Sequence, residues 1–137
     1  VVKKNSLTGP RLEDAEIIVS GGKGLKEKDN YKMIEELAEI LGGLPGASRA
    51  ITDEKWTDES RWIGLTGKTV APNLYLAIGI SGAPQHMAGC SKSRTIVAIN
   101  SDKDAGIFRY AKYGIEADCL EFLPVFINKC KEQKNNS

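Results

Sequence analysis

Short apolar runs alternate with helical stripes along this chain from about residue 16 to its end. EIIVS, residues 16–20, is a compact β-branched run closed by Gly21 and Gly22, which predicts a buried strand and a tight turn. Met33, Ile34, Leu37, Ala38 and Leu41 then fall at i, i+1, i+4, i+5 and i+8. That spacing predicts one helix with a single packed face, capped at Asp29 or Asn30 and stopped by Gly42 and Gly43. Further strands are expected at 46–51, 62–65 and 74–80, at TIVAIN over 95–100, and at 118–122 before a closing helix through Phe126 and Ile127. SGAPQHMAG and the segment after Asp102 leave room for further helices. Strands alternating with helices define an α/β fold with a parallel sheet, because parallel neighbours need a crossover.

This order carries a functional expectation. In an open parallel sheet, ligands bind outside the carboxyl ends of the strands. The polar and glycine-rich segments sit at those ends: SGGKG after the first strand, Ser48 and Arg49 inside the second, GLTGK after the third, SGAPQH after the fourth and Asn100 at the end of the fifth. They are expected to share one rim.

Composition narrows the field. The 137 residues suit one domain, and 41% apolar content is enough for one core. With 19 basic and 18 acidic residues the formal charge is +1, so no broad field draws nucleic acid or an anionic membrane. Cys90, Cys119 and Cys130 are odd in number and lack C-x-x-C spacing, which argues for free thiols in a reducing compartment and against a disulfide framework or a zinc site. No apolar run approaches the roughly 18 residues of a membrane span. Residues 1–14 read as a linker and 132–137 as a disordered tail, as expected of a domain cut from a longer chain.

Four segments can carry chemistry. SGGKG can bring backbone N–H groups to a phosphate, although it matches neither the dinucleotide nor the P-loop fingerprint. GLTGKT fails as a P-loop because Trp62 stands where the first glycine belongs; it still offers the Thr66 hydroxyl. In SGAPQH, Ser81 can cap a helix, Gly82 permits close approach and Pro84 suits the first turn, so that Gln85 and His86 lie at the positive end of the dipole. His86 is the single histidine. It has no companion ligand for a metal and no nucleophile elbow, and Cys90 is expected on the packed face of its own helix. Arg49, among the small residues of GASRA, can hold a phosphate or lie against an aromatic ring system.

Taken in order, "IIVSGGKGLK", "GASRA", "GLTGK-VAP-LYLAIGISGA-QHMAG", "TIVAIN-D" and "IF-YA-YGI-AD" resemble the FAD-binding C-terminal domain of electron transfer flavoprotein alpha subunits. The resemblance runs from about Ala15 to Phe126 and implies a Rossmann-like (DHS-like) three-layer α/β/α sandwich with a mostly parallel sheet of about six strands, occupying residues 15–131. It implies FAD stretched across the rim, with Arg49 and His86 at the flavin, where a positive charge or a hydrogen-bond donor favours the reduced forms. Thr66 corresponds to the hydroxyl that approaches the flavin's reactive nitrogen. Ser48, Gly64, Ser81, Gly82, Ala83 and Gln85 correspond to positions along the ribityl and pyrophosphate, and Asn100 and Asp118 to positions toward the adenosine; Ile63 and Cys119 are also expected among the cofactor-binding residues. Three of the positions depart from the family pattern: Lys23 stands for arginine, losing the bidentate fork, Leu65 for glutamine, and Pro84 for an aliphatic residue.

The function implied is that of an electron carrier, passing electrons from an acyl-CoA or other flavin dehydrogenase to a downstream acceptor, in some relatives within a bifurcating system. It is not bond-making catalysis. The implied partner is an electron transfer flavoprotein beta subunit, in a bacterial or archaeal cytoplasm rather than a mitochondrial matrix. An isolated chain of this kind is expected to bind FAD weakly. The alternative is a non-redox adenine-nucleotide or NAD-binding module of the same fold.

Overall fold

The computed structural model of the chain describes residues 10–135. Five strands form one all-parallel sheet: β1 (Ile17–Gly21), β2 (Leu44–Ala47), β3 (Leu74–Ile78), β4 (Thr95–Asn100) and β5 (Tyr113–Glu116). Their order is β2-β1-β3-β4-β5. The chain therefore winds outward in one direction from β1 to β2 and in the other from β3 onward, which puts the topological switch between β1 and β3. Four helices accompany the sheet: α1 (Tyr31–Leu41), α2 (Arg49–Asp53), α3 (Pro84–Met87) and α4 (Cys119–Asn135). No helix among the described residues is long and apolar enough to cross a membrane.

Each central strand sends alternate side chains to opposite faces, and both faces are buried. Val19, Leu76, Ile78 and Ile99 join the α1 residues Ile34, Leu37 and Ala38 and the α4 residues Leu123 and Ile127 in one cluster. Ile18, Tyr75, Ala77, Ile96 and Ala98 join Ile63, Met87, Cys90 and Ile107 in the other. Burial on both sides explains why these strands read as continuous apolar runs. Each fully buried aliphatic side chain contributes about 1.5–3 kcal/mol.

The α1 stripe and the β1, β3 and β4 runs fold as the sequence predicts, with the Gly42 stop in the left-handed region at φ 77°. Asn30 flanks α1, but its amide reaches back to the Leu25 carbonyl at 2.7 Å instead of capping the helix. Three expectations are corrected. The strand predicted over 46–51 ends at Ala47, and Ser48 and Arg49 begin α2. Residues 62–65 make only isolated bridges, from Trp62 to Ala47 and from Ile63 to Lys68. At 118–122 there is no strand: Asp118 accepts from the Leu120 amide at 2.9 Å and opens α4, while the fifth strand lies earlier, with all four of its residues exposed. The sheet thus has five strands, near the six expected.

The described residues nearest the two ends take up regular structure. Leu12 is buried in a short 3-10 turn, and Glu13 pairs with Lys68 at 3.6 Å. At the other end α4 continues through residues 132–135, tied to α1 by the Lys131–Glu36 pair at 2.8 Å. Residues 1–9 and 136–137 lie outside the described part.

Candidate functional site

The switch point is closed by glycines. Gly22 and Gly24 donate backbone hydrogen bonds to the carbonyls of Ile78 and Gly79, at 3.0 and 2.9 Å. A Cβ on Gly24 would come within 2.6 Å of the Gly79 Cα. The two chain segments can lie this close only without side chains.

Above this seam a groove of about 900 Å3 crosses the carboxyl ends of β1 to β4, the upper end of the range for small-molecule sites. Of the residues singled out in the sequence, its lining brings together Lys23, Ser48, Arg49, Ile63, Gly64, Leu65, Thr66, Ser81, Ala83, Gln85, His86 and Asn100. Gly82, Pro84, Asp118 and Cys119 stand outside the lining. Gly82 serves the fold: at φ 89°, with the Ile107 amide 2.3 Å from any added Cβ, it lets the loop after β3 pass under the 106–109 turn. Pro84 occupies the first turn of α3, as its missing N–H allows. Asp118 is engaged in starting α4, and the Cys119 thiol donates to the carbonyl of Gly24, itself a lining residue, at 3.2 Å.

The α3 segment differs from its sequence reading. Ala83, not Ser81, is the N-cap, and the helix has four residues, too few for a strong macrodipole. Cys90 lies past its end and is fully buried. His86 is 6% exposed, and its Nε2 is 2.8 Å from the Tyr75 hydroxyl. Burial pushes its pKa down to about 4, hydrogen bonding to the Ile63 backbone offsetting only part of that. Burial therefore favours the neutral ring near neutral pH. Its Nδ1 has no well-formed hydrogen bond.

Arg49 supplies the charge on that side. Its guanidinium pairs with Asp53 at 3.5 Å and lies over the Trp62 ring, 5.6 Å from the centroid. Lys23 pairs with Glu54 and lies 5.4 Å from the centroid of Trp56. Leu65 is 64% exposed at the groove mouth, and the loop is held there by its backbone, the Leu65 amide donating to the Gln85 carbonyl at 2.7 Å. Asn100 is a brace: its amide donates to the Ile80 carbonyl at 3.0 Å and its oxygen accepts from the Asp102 amide at 2.8 Å.

Sequence reasoning missed Trp62, Asp102 and Asp104 in the lining. Trp62 had a signal, since it neighbours the GLTGK turn, where Gly67 has no room for a Cβ beside the Trp62 ring. The two aspartates had none in type or spacing; they line the groove because the loop after β4 folds back through the Asn100 brace.

A parallel α/β sheet with a glycine-closed switch point, and hydroxyls, a cation and a neutral histidine along one groove, defines a domain of the nucleotide-cofactor-binding class. Comparison with known proteins gives the family. Residues 11–91, more than half of the chain, match the model described as "Electron transfer flavoprotein FAD-binding domain", and the chain belongs to that family. It is 50% identical over 133 residues to the electron transfer flavoprotein subunit alpha of Thermoanaerobacterium thermosaccharolyticum, covering 97% of this chain and 40% of the relative. The Bacillus subtilis subunit alpha is 49% identical over 132 residues, 96% of this chain and 40% of the relative. The mitochondrial subunit alpha of Arabidopsis thaliana is 48% identical over 125 residues, 91% and 34% respectively. The chain thus spans two fifths or less of the length of these relatives.

Proposed function

We propose that this chain is the FAD-binding, electron-carrying domain of an electron transfer flavoprotein alpha subunit, with the cofactor laid along the groove over the β1–β3 switch. The observation that carries this reading is the presence of Arg49, Thr66 and His86 in one groove lining together with the glycines Gly22, Gly24, Gly64 and Gly79. The residues fit the group: glycines admit a pyrophosphate to the backbone, Ser48 and Ser81 offer hydroxyls, and His86 keeps a buried nitrogen without a well-formed bond. When bound, FAD supplies the one- and two-electron chemistry.

The protein supplies position and charge. Arg49 keeps its positive charge at any working pH and favours a ligand that gains negative charge on reduction. His86, being neutral, contributes a hydrogen bond. Thr66 and the backbone of the 64–68 turn set how closely the ring can approach. Lys23 offers a point charge where a guanidinium fork would grip two oxygens, which lowers affinity without moving the site.

We further propose a beta-type partner subunit, an acyl-CoA or other flavin dehydrogenase as electron donor, and a bacterial or archaeal cytoplasm. The exposed groove mouth at Leu65 and Thr66 supports a partner that covers the flavin end, so the chain alone binds FAD weakly. The test is equilibrium dialysis with the purified chain, FAD and ADP. Yellow protein that bleaches on reduction, with affinity weaker than nanomolar, is the expected result; a colourless chain that binds ADP but not FAD would establish the non-redox alternative.

A further inference from the structure

The loop-covered face of the sheet buries one polar pair. Tyr75 comes from the middle of β3 and His86 from α3; their rings are 6.1 Å apart at the centroids, tilted by 44°, and the phenol oxygen meets Nε2 at 2.8 Å. Tyr75 is fully buried and His86 nearly so. Burial holds the Tyr75 hydroxyl protonated, well above the usual phenol range, and holds the imidazole neutral. The other polar groups acting on the phenol are Cys90, Ser20 and Tyr31, and the Ile63 backbone acts on the imidazole.

A neutral imidazole has one N–H and two nitrogens to carry it. With the proton on Nε2, the phenol must accept and send its own proton elsewhere, and the 2.8 Å contact with Nε2 is the one well-formed hydrogen bond its oxygen makes among the described residues. With the proton on Nδ1, the phenol donates to Nε2. The second arrangement uses the buried phenol proton in that bond, and the first leaves it without an acceptor.

We infer that Tyr75 is a positioning residue that fixes His86 as its Nδ1–H tautomer, so that the ring beside the groove carries neither a charge nor a free base nitrogen. On the FAD reading, which this inference deepens, Arg49 is left as the cation of the pair.

The single histidine makes the test unambiguous. Nitrogen-15 correlation spectra of the imidazole in the 137-residue chain, near neutral pH and without cofactor, should show a pyrrole-type Nδ1 and a pyridine-type Nε2. Tyr75→Phe keeps the ring and removes the donor, and should yield a mixture of the two tautomers. A pyrrole-type Nε2 in the unaltered chain, or an unchanged pattern in Tyr75→Phe, would overturn the inference; if that variant does not fold, the unaltered chain's spectrum decides alone. Because no FAD is needed, a chain that fails to bind FAD sinks the functional reading and leaves the tautomer standing. An Nε2–H ring in a chain that binds FAD does the reverse.

Discussion

The two faces of the sheet are built from the same strands and closed by different means. One is covered by α1 and α4, 11 and 17 residues long, and its buried cluster is almost wholly aliphatic. The other is covered by the four-residue α3, 3-10 turns and loops, and it holds Tyr75, His86, Met87 and Cys90. A long helix satisfies its own backbone hydrogen bonds and can seal a face with hydrocarbon alone. Loops cannot, so polar side chains and backbone groups stay near the rim, and the groove draws Ile63, Ile80 and His86 from that side. The helical face is closed by aliphatic packing, and the loop face adds a buried polar pair, one member of which, His86, lines the groove.

The largest effect expected from breaking this division is on the helical face. Leu37→Ala removes a fully buried side chain of α1 and should cost about 2–5 kcal/mol in urea unfolding. The folded fraction should bind FAD unchanged; lost binding in folded protein would show that the faces are not separable.

Next is a pH effect confined to the loop face. The unfolded chain protonates its histidine near pH 6.5 and the folded chain only near 4, so the unfolded state holds the extra proton between those values. Stability should therefore fall as pH drops through that window, by about 3 kcal/mol in total for the 2.5-unit difference. Unfolding curves of His86→Gln should lose that slope while keeping the part that carboxylates contribute.

Arg49→Ala should change stability by no more than about 0.5 kcal/mol, since the side chain is 72% exposed. In an FAD-loaded preparation with its partner subunit it should lower the reduction potential by about 30–60 mV, a tenfold change for two- or one-electron transfer. An unchanged potential would remove Arg49 from the flavin. The smallest effect belongs to Lys23→Ala: its pair with Glu54 is half exposed and should be worth about 0–1 kcal/mol in thermal unfolding, while calorimetry should read any loss of FAD affinity.

What could be read from sequence follows the same division. β1, β3, β4 and α1 bury continuous apolar patterns, and those patterns are visible in a single chain. β5 buries none of its four residues, so nothing in Tyr113–Glu116 announces a strand, and the apolar run after Asp118 belongs to the start of α4. The site was legible wherever a residue type is unusual for its place, as with Arg49 among small residues or Gly22 and Gly24 after a strand. Asp102 and Asp104 follow Asn100, whose side chain is held to the Ile80 carbonyl on another strand's loop, a tertiary hydrogen bond that no spacing encodes. The neutrality of His86 was likewise hidden, because it depends on burial against Tyr75 from another element.

The stacking of Arg49 on Trp62 makes the chain its own optical reporter. There are two tryptophans, each beneath a cation, and only Trp62 lines the groove. A bound chromophore that absorbs in the near ultraviolet and blue quenches the nearer ring more strongly. The loss of indole emission then gives a titration curve for the groove from unlabelled protein, and Trp62→Phe should remove the larger part of it.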